Sequence, residues 1–287
     1  MKLVRYGAPR EEKPGLIDEA GTLRDLSSII NDIDGQALGR DVLTRIAAID
    51  PHTLPPVAGQ PRYGTPIAHV GKMICVGMNY AEHAAETNTP VPEQPVLFMK
   101  ATSAIIGPND DVIIPQGSAK TDWEVELGVV IGETARSVSV ENALAHVAGY
   151  LVVNDLSERT FQFDHGGQWV KGKSCDTFGP LGPCLVTTDE VPDPQNLHLW
   201  LEVNGHRYQN GHTRTMIFNV ATLVSHISRY MTLLPGDVIS TGTPSGVGLG
   251  QKPQIYLRPG DVIELGIDGL GRQRQQVRAH IGDDHAA

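Results

Sequence analysis

The stretch KTDWEVELGVVIG, residues 120–132, combines a strand-like apolar run with two carboxylates. Glu124 and Glu126 are two positions apart, so in a strand they share one face, ~6.6 Å apart along the chain. A solvated strand face is the ordinary interpretation of such a pair. Here the next residues, LGVVIG, are apolar on both faces, which indicates a strand that enters the protein interior. Two unpaired like charges would be costly there, and a bound cation would relieve that cost.

A second apolar run, GYLVVND at residues 149–155, ends in Asp155. Taken alone, Asp155 would be interpreted as a cap or turn residue before LSERTFQ. Together with Glu124 and Glu126 it would complete a set of three oxygen ligands without any His or Cys. Such a set favours Mg²⁺, with Mn²⁺ as the second choice, and leaves coordination positions for water or substrate.

Composition and charge limit the classes of function. The chain has 287 residues, of which 40% are hydrophobic, and this composition is typical of a globular protein. Its net charge of −10 is unfavourable for binding to nucleic acids or to anionic membranes. The first residues lack the apolar core of a signal peptide, and no apolar run approaches the ~20 residues of a membrane span. We expect a cytoplasmic protein with a small-molecule partner. The spacing of Cys75, Cys175 and Cys184 favours reduced packing residues.

The distribution of apolar runs predicts an α+β fold that is mainly β. Short Val/Ile-rich runs separated by Gly, Pro and Asp predict a main domain over residues 69–287, with mixed sheets rolled around a site. Residues 1–68 predict a small α+β cap that ends in a Pro-rich connector, with a helix over residues 37–50. Asn204-Gly205 is a hairpin signal, because a type I′ turn needs positive φ at both positions. Peripheral helices are predicted in NYAEHAAET, VSVENALAHVAG and NVATLVSHISRYMTL.

Polar residues near these motifs are candidate site residues. His83 and Glu86 are neighbours at i, i+3 on one predicted helical face, where the carboxylate could orient the imidazole, although a surface pair is the ordinary alternative. Lys100, at the end of an apolar strand, would by default snorkel to solvent. Arg159, Gln162 and Lys173 would by default be surface groups, but their shared neighbourhood just after Asp155 favours an anion-holding site. STGTPSGVGLG lacks the following helix of a phosphate loop and predicts a tight loop facing a pocket, with Thr243 as its polar contributor.

Six motifs, in the same order as in the family, resemble the fumarylacetoacetate hydrolase family from about Lys72 to the C-terminus. They are GMNYAEHAAE, PVLFMK, TDWEVELGVVIG, GYLVVNDLSERTFQ, WVKGKSCDTFGP and STGTPSGVG. The resemblance implies the family's mixed β-sheet roll, a homodimer or a dimer of dimers, and Mg²⁺ or a similar ion on the three carboxylates. It implies a catalytic His83 paired with Glu86, and a position for Lys173 in the pocket where we expect it to be catalytic by stabilising an oxyanion. It also implies substrate-binding roles for Arg159, Gln162, Thr243 and Lys100.

Details outside these motifs are more similar to one branch of the family. The N-terminal cap, ATSAIIGPNDDVIIP and VPDPQNLHLWLEVNG resemble bacterial 2,4-diketo-3-deoxy-L-rhamnonate and L-fuconate hydrolases. This implies cleavage of the C3–C4 bond of a 2,4-diketo acid to pyruvate and lactate, in L-rhamnose or L-fucose breakdown. MICVGMN stands where mammalian fumarylacetoacetases carry a further metal-binding Asp, which argues against fumarylacetoacetate as the substrate.

Several alternatives remain open from the sequence. Acylpyruvate or fumarylpyruvate hydrolysis, oxaloacetate decarboxylation and keto-acid isomerisation could all use the same metal-binding residues. A ureidoglycolate lyase, a catalytically silent metabolite-binding protein and a calcium-stabilised β module are further alternatives. Retention of every polar site residue argues against the silent protein, and a calcium module would leave His83 and Lys173 without a role.

Overall fold

The computed structural model describes residues 1–280. In chain order the strands of this region are β1 (Lys2–Tyr6), β2 (Lys13–Ile17), β3 (Leu23–Asp25), β4 (Met73–Gly77), β5 (Val96–Lys100), β6 (Ile105–Ile106), β7 (Val112–Ile114), β8 (Thr121–Asp122), β9 (Val125–Ile131), β10 (Val147–Asn154), β11 (Ser157–Glu158), β12 (Gly179–Thr187), β13 (His198–Val203), β14 (His206–His212), β15 (Val238–Ser240), β16 (Val262–Ile267) and β17 (Gly271–Ala279). The α-helices are α1 (Arg40–Ala47), α2 (Ala81–Glu86), α3 (Val140–Ala143), α4 (Arg159–Phe163), α5 (Val170–Lys173) and α6 (Val220–Tyr230).

Two large sheets form the body of the described chain. The larger has the order β3-β2-β1-β12-β10-β9-β15-β4-β5, with β6 paired to β12, and it mixes parallel and antiparallel neighbours. The smaller has the order β14-β13-β16-β17-β7 and lies against β9, β10 and β12. The prediction of a mainly β fold with mixed sheets and peripheral helices is confirmed.

β9, which comes from the stretch KTDWEVELGVVIG, lies in the middle of the larger sheet. Every residue of β9 and of its neighbour β10 is buried, because β9 and β10 are covered on both faces. Val125, Leu127 and Val129 on one face of β9 belong to the core shared with the smaller sheet. Val130, on the opposite face, belongs to a second core shared with β1, β2 and α1. Glu124 and Glu126 have the same parity as Val130, so the predicted alternation holds.

The first 68 residues continue the larger sheet. β1 pairs antiparallel with β12 through Lys2 with Val186 and Leu3 with Leu185, and β2 and β3 form an antiparallel hairpin. The predicted boundary at residue 68 therefore does not coincide with a break between sheets. The helix predicted over residues 37–50 spans Arg40–Ala47.

Local signals predicted some elements and missed others. Asn204 (φ 52°) and Gly205 (φ 78°) join β13 to β14, which confirms the hairpin. The helix predicted over residues 138–149 is wrong beyond α3, because Val147 begins β10, which pairs with strands on both sides. β4, β12 and β17 were not predicted. β12 contains two prolines beside an irregular register, and β17 reads GRQRQQVRA, without an apolar pattern.

Two expectations from composition can be compared with the structure. Within residues 1–280, no helix is both long enough and apolar enough to cross a lipid bilayer. All three cysteines are free, and Cys75 and Cys184 are buried.

We predict that Gly149→Ala destabilises the protein by about 1–3 kcal/mol. A Cβ at Gly149, in the middle of β10, would lie 2.2 Å from the carbonyl oxygen of Val186, so β10 and β12 would have to separate. Gly39→Ala is the matched control, since its Cβ would meet nothing closer than 3.8 Å. Urea unfolding measures both variants, and equal midpoints would contradict the prediction.

Candidate metal centre and active site

Three carboxylates meet where β9 begins and β10 ends. Antiparallel pairing sets Glu126 opposite Val153, and the amide of Asp155 donates to the Glu124 carbonyl at 2.9 Å. One oxygen from each of Glu124, Glu126 and Asp155 lies within 4.8 Å of the others, and all three residues are buried. Three converging carboxylate oxygens form a donor set that fits a hard divalent cation.

Cations fix two of the three carboxylates. Lys173 Nζ donates to Glu124 Oε2 at 2.7 Å and to Asp155 Oδ2 at 2.9 Å, and Lys100 Nζ donates to Asp155 Oδ1 at 2.5 Å. Arg159 Nη2 donates to Glu124 Oε1 at 2.7 Å. These contacts leave Glu126 as the carboxylate of the group without an ion pair in the described part of the chain.

Glu126 is held by neutral donors instead. Its Oε2 accepts from Ser240 Oγ at 2.6 Å and from the Gly242 amide at 2.8 Å. Counting Asp122, which pairs with Arg159, four buried carboxylates face three cations: Asp122, Glu124, Glu126 and Asp155 against Lys100, Arg159 and Lys173. The cluster thus carries one excess negative charge, and a divalent cation would turn this into a positive charge suited to an anionic ligand.

The pKa values of the cluster reflect the difference between carboxylates with and without a neighbouring cation. Burial alone would raise the pKa of Glu124, but Lys173 and Arg159 outweigh it and lower that pKa to about 2. Burial and the neighbouring Asp155 and Glu124 raise the pKa of Glu126 well above its usual value. Burial would lower the pKa of Lys173, but Asp155 and Glu124 raise it, so this side chain remains an ammonium group and cannot act as a general base.

A histidine–carboxylate pair lies on α2. His83 Nδ1 and Glu86 Oε1 are 2.8 Å apart, and Glu86 Oε2 accepts from the Gly246 amide at 2.8 Å. Because an ionised carboxylate only accepts hydrogen bonds, we assign the proton to Nδ1, which leaves Nε2 able to accept one. The pair therefore has the geometry of an oriented base.

One cavity of about 430 Å³ is lined by His83 and by two of the three carboxylates, Glu124 and Glu126. The polar residues of its lining are His83, Thr87, Thr89, Glu124, Glu126, Arg159, Gln162, Lys173 and Thr243. Aromatic and aliphatic side chains, among them Phe98, Phe163 and Trp169, form the rest of the wall. Its size and mixed lining suit a small organic ligand.

The structure qualifies three of the expected substrate contacts. Gln162 Oε1 accepts from Arg159 Nη1 at 3.1 Å, so its amide NH₂ is left for the cavity. Thr243 Oγ1 donates to the Val125 carbonyl at 2.9 Å and accepts from Gln209 Nε2 at 2.7 Å, so only one acceptor lone pair is left for a ligand. Arg159 is engaged by Asp122, Glu124 and Gln162, which leaves little of its fork for a ligand.

Lys100 lies in a different place from the one expected. Its side chain is fully buried, it does not line the cavity, and its Nζ donates to Asp155 Oδ1 and to the Leu156 carbonyl. The expectation that Lys100 contacts the substrate is therefore corrected: at the end of β5, it holds a carboxylate of the cluster.

The chain is similar to a known protein family and to individual bacterial proteins. Residues 72–278 match the model for the fumarylacetoacetate (FAA) hydrolase C-terminal region. The chain belongs to the fumarylacetoacetate hydrolase family. A Burkholderia cenocepacia protein, provisionally named a hydrolase, is 61% identical over 97% of this chain and 99% of its own length.

Solved structures of the fumarylacetoacetate hydrolase family are similar along nearly the whole chain. The fumarylacetoacetate hydrolase of Exiguobacterium antarcticum has 38% identity and a TM-score of 0.88, over 98% of this chain and 100% of that one. A 2-hydroxyhepta-2,4-diene-1,7-dioate isomerase from Mycobacterium marinum has 33% identity and a TM-score of 0.74, over 97% and 98%. A maleylpyruvate hydrolase from Sphingobium sp. SYK-6, in complex with manganese(II) and pyruvate, has 29% identity and a TM-score of 0.82, over 98% and 100%. Similar folds in this family thus include both hydrolases and isomerases.

The sequence patterns did not identify the residues that orient Glu124 and Glu126. Asp122 pairs with Arg159, while Ser240 and the Gly242 amide hold Glu126. The only available signal was position, since Asp122 precedes the two glutamates and Ser240 opens the glycine-rich loop. Neither position identifies its partner.

We predict that Mn²⁺ raises the melting temperature of the protein and that Glu126→Gln abolishes this rise. At a Mn²⁺ concentration 100 times the Kd, binding would stabilise the folded state by about 2.7 kcal/mol. The variant should be at least as stable as the wild type without metal, because it removes a buried charge that lacks a cation. Differential scanning calorimetry, with the exposed Glu141→Gln as control, measures both effects. Unchanged stabilisation of Glu126→Gln by Mn²⁺ would exclude this residue as a ligand.

Proposed function

We propose that the protein is a metal-dependent hydrolase that cleaves the C3–C4 bond of a 2,4-diketo acid and releases pyruvate and a second carboxylic acid. The observation that carries the proposal is that His83, which is paired with Glu86, lines the same cavity as Glu124 and Glu126 of the carboxylate cluster. Activation of a water molecule requires an oriented base close to the place where the carbonyl group of the substrate would bind. The preferred substrates are 2,4-diketo-3-deoxy-L-rhamnonate and its L-fuconate counterpart, with lactate as the second product, and their support is the sequence similarity described above.

The metal would be held by Glu124, Glu126 and Asp155. We propose Mg²⁺, with Mn²⁺ as an alternative that the manganese-bound maleylpyruvate hydrolase supports. When bound, the ion would supply Lewis acidity and a template for the diketo acid. The excess negative charge of the cluster supports a cation at this place.

His83 would start the reaction. Its Nε2 takes a proton from water, and the oxygen of that water adds to the C4 carbonyl. Glu86 keeps the proton on Nδ1 and stabilises the imidazolium that forms. The imidazolium is then our candidate for returning a proton to C3 when the C3–C4 bond breaks.

Fixed positive and polar groups would stabilise the charge that develops on the C4 oxygen. Lys173 is a permanent ammonium group on the cavity wall, and the amide NH₂ of Gln162 is free to donate. Both are positioned before the substrate arrives, so no reorganisation is needed during the reaction. Arg159 would act on the substrate carboxylate mainly through its charge, since most of its hydrogen bonds are already made.

Isomerisation of an unsaturated keto acid is the second candidate function. The similarity to the Mycobacterium marinum isomerase favours it over the remaining alternatives. It would need His83 to move a proton between carbon atoms, without addition of water. Acylpyruvate hydrolysis and oxaloacetate decarboxylation would use the same metal-binding residues and belong in the same test.

A substrate panel separates these reactions. We expect pyruvate release from the two deoxy sugar acids, with lactate in equal amount, and loss of this activity when a chelator removes Mg²⁺. The panel also contains an acylpyruvate, fumarylpyruvate, oxaloacetate and an unsaturated dicarboxylic keto acid, each assayed with and without chelator. Double-bond migration without pyruvate would support the isomerase, and turnover of oxaloacetate alone would contradict the hydrolase.

We predict that His83→Ala lowers kcat by about 10²–10⁴ and leaves the affinity for Mn²⁺ unchanged, because the imidazole moves a proton and is not among the three metal ligands. Steady-state kinetics and calorimetric titration measure the two quantities. His206→Ala, at an exposed position on β14, is the control. A fully active His83→Ala enzyme would remove the base from the mechanism.

A further inference from the structure

Asp122 is a buried carboxylate that the mechanism above does not use. Its side chain is completely buried, and Oδ2 accepts from Arg159 Nε at 2.8 Å. Oδ1 accepts from the Gly248 amide at 2.6 Å, and Oδ2 accepts from the Leu249 amide at 2.9 Å. Asp122 therefore joins the glycine-rich loop to Arg159.

Arg159 also donates hydrogen bonds to two residues of the cavity wall, Glu124 and Gln162. Its Nη2 donates to Glu124 Oε1 at 2.7 Å, and its Nη1 donates to Gln162 Oε1 at 3.1 Å. The guanidinium group is planar and rigid, so a partner that fixes Nε also sets the directions of both Nη atoms. The position of one metal-site oxygen and the direction of the Gln162 amide therefore depend on Asp122.

The glycine-rich loop packs closely against both Asp122 and Glu86. A Cβ at Gly248 would lie 2.0 Å from the Ile255 carbonyl oxygen and 2.7 Å from Asp122 Oδ1. A Cβ at Gly250 would lie 2.4 Å from Glu86 Oε2, the oxygen that accepts from the Gly246 amide. The same short loop thus contacts the carboxylate behind Arg159 and the carboxylate behind His83.

We propose that Asp122 is a positioning residue for metal binding, which acts through Arg159 on Glu124. With Asp122 present, the charge of Arg159 is shared between two carboxylates, and Glu124 keeps part of its negative charge for the metal. Without it, the whole guanidinium charge falls on Glu124 and competes with the ion. The proposal rests on the metal site of the proposed function, but it does not depend on which reaction follows.

The test is Mn²⁺ binding to folded Asp122→Asn, measured by calorimetric titration. We expect the Kd to rise 10–100-fold, the usual effect of losing a partner behind a metal ligand. Asp237→Asn is the matched control, because Asp237 is equally buried, pairs with Lys72 at 2.6 Å and accepts from the Leu234 amide at 2.7 Å, away from the cavity. A merely structural role for Asp122 predicts lower melting temperatures for both variants and an unchanged Kd for both, which would overturn the proposal.

A double-variant cycle tests the route through Arg159. In an Arg159→Met background, Asp122→Asn should change the Kd for Mn²⁺ by less than twofold, because the group through which Asp122 acts is gone. A full 10-fold effect in that background would overturn the route. If Asp122→Asn does not fold, Asp122→Ser replaces it: a hydroxyl can still accept from a loop amide but carries no charge to share with Arg159, and the same weakening is expected. A wild-type protein that binds no Mn²⁺ would overturn the metal site itself, whereas equal binding by wild type and Asp122→Asn would overturn only the role of Asp122.

Discussion

The mutual repulsion of carboxylates buried at the ends of two central strands governs the rest of the site. Glu124, Glu126 and Asp155 lie on or beside β9 and β10, where both faces of the sheet are covered and little water reaches the carboxylates. Each needs either a cation or hydrogen-bond donors. The protein supplies Lys100, Lys173 and Arg159 from three different elements, and their arrangement places a cation beside each carboxylate except Glu126.

The glycine-rich loop supplies the neutral part of this compensation. The amides of Gly242, Gly246 and Gly248 donate to Glu126, Glu86 and Asp122, respectively. Side chains at these positions would collide with neighbouring backbone atoms or with Asn79, so glycine is needed for the close approach. Backbone dipoles stabilise a carboxylate without adding a positive charge. The excess negative charge of the cluster is therefore preserved, and it would attract a divalent ion.

The contacts of the candidate site could be predicted from the sequence where a local pattern, such as strand alternation or helical spacing, indicates them. The grouping of Glu124 and Glu126 with Asp155 could be predicted, because strand alternation and the ends of apolar runs are visible in the sequence. The pairing of His83 with Glu86 was equally visible, since i, i+3 neighbours share a helical face. Lys100 was misplaced because its partner, Asp155, is 55 residues away along the chain.

The same limit applies to the fold. β12 carries prolines and β17 carries mostly polar residues, so neither has the pattern of an inner strand. β17 is stabilised by side-chain amides that no periodicity reveals: Gln273 Nε2 donates to the Val152 carbonyl at 2.7 Å, and Gln275 Nε2 donates to the Pro108 carbonyl at 2.5 Å. α3 stops early because pairing on both sides of β10 overrides a helical periodicity.

The continuity of the larger sheet across residue 68 limits how this chain can be divided or recombined. The matched family region begins at residue 72, yet β1 covers the edge of β12, and Leu3 and Leu16 close the core behind it. Excision of the first 68 residues would expose unpaired backbone groups and an apolar face, a combination that promotes aggregation. The N-terminal segment is therefore not an exchangeable module, and its replacement in a chimaera would need a strand of matching register.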